Sequence, residues 1–294
     1  MSTPVGSGSI VVGIDGTSTA VAAARWAGAV ANRLHVPMVL LGVVPSVDHP
    51  LSVAAGATTN LMPELRAAVR DRLERARQAV LSDHPQVDIH IVTEDGAPAH
   101  ELIEHSASAR MVVVAANVGD RLSTLLLGST ALTVANKAPC PVVVWRGRED
   151  QPLPDERPVL VGVDGSPGSS AAVAQAFELA AALDVEVIAL HVWNDPDLLQ
   201  WIPAPGDWAT LATQEKELLS ERMAGWSEKY PDVRVTKAIQ KGTPTQVLLE
   251  RANDAQLVLT GSRGHNRLTG LFVGSTSQNL LHHAPHPVII CREQ

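Results

Sequence analysis

Cysteines, aromatic rings, basic charge and long apolar runs are all scarce in this chain. Two cysteines among 294 residues, Cys140 and Cys291, supply neither a disulfide framework nor metal-ligand spacing, which fits a reducing compartment. Aromatic residues make up 3% of the chain against 45% hydrophobic residues overall, so the core must be mostly aliphatic. No run approaches the roughly eighteen apolar residues of a membrane span. The first residues, Met1-Ser-Thr-Pro-Val-Gly-Ser-Gly, lack the basic flank and apolar region of a signal peptide, so the expected location is cytoplasmic. Lysine and arginine number 23 against 31 acidic residues, a net charge of −8. Without a basic stripe there is no electrostatic footprint for nucleic acid or an anionic membrane. Two phosphate-binding signatures are also missing. There is no Gly-x4-Gly-Lys-Ser/Thr loop and no Gly-x-Gly-x-x-Gly fingerprint, so P-loop ATPase chemistry and dinucleotide oxidoreduction lose their main support.

What is present is a duplication. Pro158-Val-Leu-Val-Gly-Val-Asp164, followed by Gly165-Ser166, repeats Ser9-Ile-Val-Val-Gly-Ile-Asp15, followed by Gly16-Thr17, at an offset of 164 − 15 = 149 residues. Within each half, short β-branched runs alternate with longer segments of helical period, the pattern of βαβ units and a parallel sheet covered on both faces. The first half reads strand 10–15, helix 18–34, strand 37–44, helix 61–83, strand 87–93, helix 97–108, strand 110–115, helix 129–137 and strand 141–145, and the second half repeats the order. The expected fold is therefore α/β, two tandem doubly wound Rossmann-like domains, 1–151 and 152–294, joined by the charged, proline-rich Arg146–Pro158 stretch. The third strand of each half, Val87–Thr93 and Val233–Ile239, alternates polar and apolar residues and is expected at a sheet edge. The offset falls from 149 to 146 after the second strand, where the second half carries Trp193, Trp201 and Trp208. Loops at this end of a doubly wound sheet cover ligands, and a surface flap packed on its own tryptophans is the alternative.

Ligands of such sheets lie beyond the carboxyl ends of the strands, where the winding direction reverses, here between strands one and four. Strand one is expected to end at Asp15 or Asp164. Strand four leads into Gly261-Ser-Arg-Gly264, then nine residues, then Gly274-Ser275-Thr276. Glycines at 261 and 264 let a backbone approach a polyanion and permit positive φ. The amides and dipole of a helix opening at Gly274 attract phosphate, and two hydroxyls add donors. A glycine turn with a serine N-cap would explain Gly274-Ser275 alone. Asp164 has three uses open to it: a hydrogen bond to ribose or adenine, Mg²⁺ through water, or a helix cap. Val192 lines an apolar slot for a base or is simply a core residue.

These residues resemble the ATP-binding class of the universal stress protein family, and the whole chain resembles its tandem-domain actinobacterial members. The resemblance implies five-stranded sheets of order 3-2-1-4-5 and pairing of domains through their last strands, here an internal pseudo-dimer, with a further homodimer possible. It places Asp164 and Val192 at the nucleoside and Gly261, Gly264, Gly274, Ser275 and Thr276 around the phosphates of ATP with Mg²⁺. In the first half Asp15, Val43, Gly128, Ser129 and Thr130 match, but Ala115 and Val118 replace the first two glycines. A β-branched residue there would push methyl groups toward the phosphates, although Gly119 offers a one-residue shift, so the first site is expected to bind weakly or not at all.

Other clusters carry less. In His100-Glu101-Leu-Ile-Glu104-His105 the histidines are five apart, so they diverge by about 140° around a helix and miss the zinc-protease spacing. His282, His283 and His286 close the last helix, where cations suit its dipole. Cys140 aligns with His286, so the cysteines are not repeat-equivalent, although antiparallel docking of the last strands would bring them near each other. No nucleophile with an adjacent base is recognisable. The expected function is an ATP-binding regulator of stress response or growth that acts on a protein partner, with at most slow ATP hydrolysis. A nucleotide-independent interaction module, a cyclic-AMP-binding protein, and adenylating chemistry are the rivals. The last needs a Ser-Gly-Gly-x-Asp-Ser-like loop, and Asp164-Gly-Ser-Pro-Gly-Ser is not one.

Overall fold

Aliphatic β-branched runs between amphipathic helices fold here as two successive doubly wound units. The computed structural model describes residues 8–45, 61–116, 127–146, 154–193, 207–264 and 273–293. The chain divides between Pro154 and Asp155. Val118, Gly119 and Trp201 lie outside the described residues.

In the first unit the order is β1 (Ile10–Gly13), α1 (Ser18–Leu34), β2 (Met38–Val44), α2 (Leu61–Asp83), β3 (Ile89–Asp95), α3 (Pro98–Ser106), β4 (Met111–Ala115), α4 (Ser129–Lys137) and β5 (Val142–Trp145). The second unit runs β6 (Val159–Gly162), α5 (Pro167–Leu183), β7 (Val187–Trp193), α6 (Asp207–Lys229), β8 (Val235–Lys241), α7 (Pro244–Arg251), a short 3₁₀ turn at Ala252–Asp254, β9 (Leu257–Gly261), α8 (Ser275–His283) and β10 (Val288–Cys291). All pairings within a unit are parallel, in the orders β3-β2-β1-β4-β5 and β8-β7-β6-β9-β10. The expected 3-2-1-4-5 order is thus present in both.

Strands β1, β2, β4, β6 and β9 are buried almost throughout, with aliphatic side chains on both faces, as a parallel sheet covered by helices requires. In contrast, β3 and β8 each pair with one strand of their unit and share one pattern of exposure in which no residue is fully buried. Their polar side chains keep these edges from recruiting another strand. Pro141 and Pro287 stand just before β5 and β10, and their carbonyls accept from the amides of Val112 and Val258, both at 3.0 Å. Each therefore joins the ladder through the one backbone group that proline retains.

Thr17 and Ser166 cap α1 and α5 in the same way, each accepting a 3.2 Å bond from the backbone amide three residues on, Ala20 and Ser169. Both helices also end alike, on His35 and Asp184 in the left-handed conformation. A duplicated backbone has kept its punctuation while exchanging the residues that supply it.

Candidate functional site

Strand β6 stops at Gly162, so Asp164 lies two residues beyond the strand rather than at its end. The Val163 amide still donates to the Leu190 carbonyl at 2.9 Å, and Asp164 is the first residue free of the ladder. Its Oδ1 accepts from the Ser166 amide at 2.9 Å, closing a tight turn through Gly165 at φ +82°, a conformation open to glycine without steric cost. The helix cap is Ser166, so the capping role considered for Asp164 falls to its neighbour. The other carboxylate oxygen, Oδ2, lies 2.7 Å from where a Cβ on Gly264 would stand. Asp164 and the glycine loop therefore meet across the mouth between β6 and β9.

Positive φ does not explain the loop glycines. The described glycines with positive φ are Gly8, Gly16, Gly96, Gly165 and Gly242, and neither Gly261 nor Gly264 is among them. Close approach of backbone explains Gly261. A Cβ on Gly261 would stand 2.6 Å from the Gly168 carbonyl carbon and 2.8 Å from the Ser169 nitrogen, so the end of β9 rests directly on the first turn of α5. Gly168 reciprocates, because its Cβ would meet the Arg263 carbonyl oxygen at 3.1 Å and Gly261 Cα at 3.4 Å. Ser166 Oγ donates to that same Arg263 carbonyl at 3.2 Å. Gly168 was not singled out in the sequence. The signal for it was a Pro-Gly pair inside the first turn of a helix, where glycine is a poor helix former.

Across the mouth, the Gly274 amide donates to the Ser262 carbonyl at 2.8 Å, and the Ser262 amide donates to the Cys291 carbonyl at 2.7 Å. Gly274, not Ser275, is the N-cap of α8, and it supplies no side-chain acceptor to the first turn. Ser275 is exposed, Thr276 half-buried, and buried Ser277 donates from Oγ to the Gly261 carbonyl at 2.7 Å. The first turn of α8 thus has no side-chain cap, and a Cβ on Gly274 would stand 3.9 Å from the nitrogen of Gly264, the residue that Asp164 Oδ2 faces. Val192 is half-buried near the end of β7, in register with Gln240.

The first unit repeats the skeleton with different contacts. Asp15 is exposed, and its Oδ1 accepts from both the Thr17 amide at 2.9 Å and the Thr17 hydroxyl at 2.6 Å. Val43 is half-buried, Gly128 caps α4 without a side-chain bond, and Ser129 and Thr130 open that helix. The glycine pair that brings β9 against α5 has the counterparts Ala115 (261 − 146) and Thr19 (168 − 149). Both members of the contact carry side chains there, so the backbones cannot approach as they do in the second unit.

Two arginines not anticipated from the sequence lie over the glycines that follow the aspartates. The Arg222 guanidinium occupies the space where a Gly165 side chain would project, and Arg72 does the same over Gly16, donating from Nη1 to the Asp15 carbonyl at 3.3 Å. They stand at positions 16 and 12 of two 23-residue helices, one turn apart, so the repeat alignment does not pair them. Trp193 is the last residue of β7, with the Lys241 ammonium 5.6 Å from the ring centre, while Trp208 falls in α6.

Among the described residues no group of three or more His, Cys, Asp or Glu side chains is placed to hold a metal ion, and no helix is long and apolar enough to cross a membrane. His105 instead lies 3.3 Å from Glu94, and Glu101 packs its carboxylate beside Gly96. His286 accepts from Arg157 Nη1 at 2.8 Å, in a cluster where Arg157 also pairs with Asp155 and Gln256 donates to the carbonyls of Asp155 and Arg157. Burial, with Arg157 adding to it, holds the His286 ring below the usual histidine range. Cys140 and Cys291 are buried thiols, and burial pushes the Cys291 thiol up.

Two tandem Rossmann-like domains, with an aspartate after strand one facing a glycine loop after strand four, define a class of protein. The sequence model of the Universal stress protein family matches residues 7–146 and again 156–292. A universal stress protein of Mycobacterium tuberculosis is 36% identical over 289 residues, covering 97% of this chain and 96% of that protein. One from Mycolicibacterium smegmatis is 36% identical over 288 residues, with 96% of each chain covered. The crystal structure of a universal stress protein from Archaeoglobus fulgidus superposes with a TM-score of 0.73 at 18% identity, covering 97% of this chain and 98% of that one. The chain belongs to the universal stress protein family, with two copies of its domain in tandem.

Proposed function

We propose that the second unit binds an adenine nucleotide, ATP with Mg²⁺, and that occupancy changes how the chain engages a protein partner in stress response or growth control. The observation that carries this reading is the meeting of Asp164 Oδ2 with the Gly264 backbone, 2.7 Å from its missing Cβ, beside the α8 N-terminus, which no side chain caps. The donor set suits the group. Uncapped amides at the positive end of a helix donate to phosphate oxygens, and one carboxylate oxygen turned to the mouth suits a Mg²⁺ ion that keeps most of its waters. Val192 contributes apolar surface near the end of β7 for the base.

The first unit takes a structural or regulatory part, because Thr19 and Ala115 stand where the second unit has Gly168 and Gly261. The expected stoichiometry is one tight nucleotide per chain. Pairing of the apolar last strands, Val142–Trp145 and Val288–Cys291, into an internal pseudo-dimer belongs to the same proposal.

The test is ligand-dependent thermal unfolding of chain stripped of nucleotide. ATP at about a hundred times its dissociation constant adds about 2.7 kcal/mol of stability, and Asp164→Ala should remove most of that gain. No rise in melting temperature with ATP, or an undiminished rise in Asp164→Ala, refutes the reading. Competition by cyclic AMP in the same assay separates a cyclic-nucleotide site from an ATP site.

A further inference from the structure

Helix α6 holds the residue on either side of Asp164. On one side, Arg222 lies against Gly165. On the other, His191 in β7 bridges Val163 to the helix, with Nδ1 2.6 Å from the Val163 carbonyl oxygen and Nε2 3.2 Å from Glu215 Oε2. The ring is largely enclosed, its side chain 12% exposed against 31% for Glu215. Both of its partners are acceptors, a carbonyl and a carboxylate. A neutral imidazole carries one N–H and can satisfy only one of them, leaving the other nitrogen's lone pair aimed at an oxygen. An imidazolium donates to both, and its contact with the carboxylate becomes a charge-assisted bond.

The first unit has no such device. Its counterpart of His191 is Gly42 (191 − 149), and the space beside Gly42 is filled by Val69 Cγ1 and Leu73 Cδ1, 2.6 and 2.9 Å from where a Cβ would stand. The bridge therefore occurs in the unit that keeps Gly261 and Gly264 and is absent from the one that has Ala115 in place of the first of them and Val118 in place of the second. We infer that His191 is a positioning residue: in its doubly protonated form it ties the Asp164 loop to Glu215 on α6, making nucleotide binding at the second site proton-dependent.

This rests on the nucleotide reading above for its ligand, though not for the state of the ring. Glu215 on α6 is the charged group that pairs with the ring. Asp164 follows its carbonyl partner, Lys241 lies over neighbouring Trp193, and Arg222 lies against Gly165 on the far side of Asp164. On β8 the register partner of His191 is Ile239. When the ring carries a single N–H, one end of the bridge lets go and Asp164 is less firmly placed.

The test uses the full chain. Nitrogen chemical shifts of the His191 ring, read by NMR without nucleotide, report its protonation directly. ATP affinity by calorimetry from about pH 6 to about pH 8 spans the histidine titration range. The native chain should show both ring nitrogens protonated at the acid end. Its affinity should fall with rising pH by about threefold to tenfold, the loss expected from one weakened charge-assisted bond.

Glu215→Gln offers an amide donor to a neutral Nε2, so its affinity profile should be flat, and His191→Gln should be flat as well. A ring with a single N–H throughout the range, or the same slope in the native chain and Glu215→Gln, overturns the inference while leaving ATP binding intact. No ATP binding by the native chain at any pH overturns the coupling together with the nucleotide reading.

Discussion

Replacing Gly261 with alanine, the residue of the first unit at this position, is the sharpest test of how the second site is built. The new Cβ would stand 2.6 Å from the Gly168 carbonyl carbon, 2.8 Å from the Ser169 nitrogen and 3.0 Å from the Gly168 oxygen. All three are backbone atoms, so no side-chain rotation relieves the clash, and either β9 or the first turn of α5 must move. Overpacking of this kind costs about 1–3 kcal/mol. At about 2–4 °C per kcal/mol for a domain of this size, calorimetry of the full chain should show the second unit melting about 2–12 °C earlier.

Gly274→Ala is the control. Its Cβ would meet nothing closer than the Ser262 carbonyl at 3.7 Å, so the loss should stay within about 1 kcal/mol, the scale of an N-cap substitution. Adding Gly168→Thr to Gly261→Ala rebuilds the first unit's pair. Once the backbones have parted for one side chain the second fits more easily, so the double variant should lose less than the sum of the singles. An unchanged midpoint for Gly261→Ala, or equal losses for Gly261→Ala and Gly274→Ala, would refute the claim that close backbone approach fixes this glycine.

Acidification should weaken the second unit through His286. Burial and Arg157 lower its folded pKa, so the stabilisation is complete above the unfolded value of about 6.5 and is lost as pH falls below it toward the folded value. Melting temperature against pH should show this slope in the native chain and lose it in His286→Gln. Ser277→Ala removes the buried donor to the Gly261 carbonyl and should cost about 1 kcal/mol in urea unfolding. The Arg25–Asp83 pair links α1 to the end of α2 at 2.7 Å, but it is 51% and 36% exposed. Asp83→Asn should therefore cost at most about 0.5 kcal/mol, a difference that disappears in high salt.

The sequence carried the fold because the fold is written in local period. Runs such as Met111–Ala115 and Leu257–Gly261 are apolar almost throughout, which only a strand covered on both faces tolerates, while Val235–Lys241 carries Thr236, Lys237, Gln240 and Lys241, has no buried residue and sits at an edge. The helices 18–34, 61–83 and 129–137 coincide with their sequence limits, since caps and prolines mark those ends locally. The duplication placed Asp164 and the glycine loop in equivalent positions of a known topology, so their convergence at the β6–β9 mouth was also legible.

The reasons for individual residues were not legible, because they depend on what comes near from elsewhere in the chain. Nothing local distinguishes a glycine needed for positive φ from one needed for contact; Gly165 proves to be the first kind and Gly261 the second, with Gly168 as its partner. Arg222 reaches Gly165 across 222 − 165 = 57 residues, from a helix position one turn away from that of Arg72, and no alignment of the repeats could pair them. His191 is a polar residue in a largely apolar strand, but only the fold shows that both its nitrogens face oxygen. The sequence alone thus determined two copies of one βα architecture and the meeting of Asp164 with the glycine loop in the second. Tertiary structure decided which backbone atoms touch, and with that why the second copy keeps its glycines while the first does not need them.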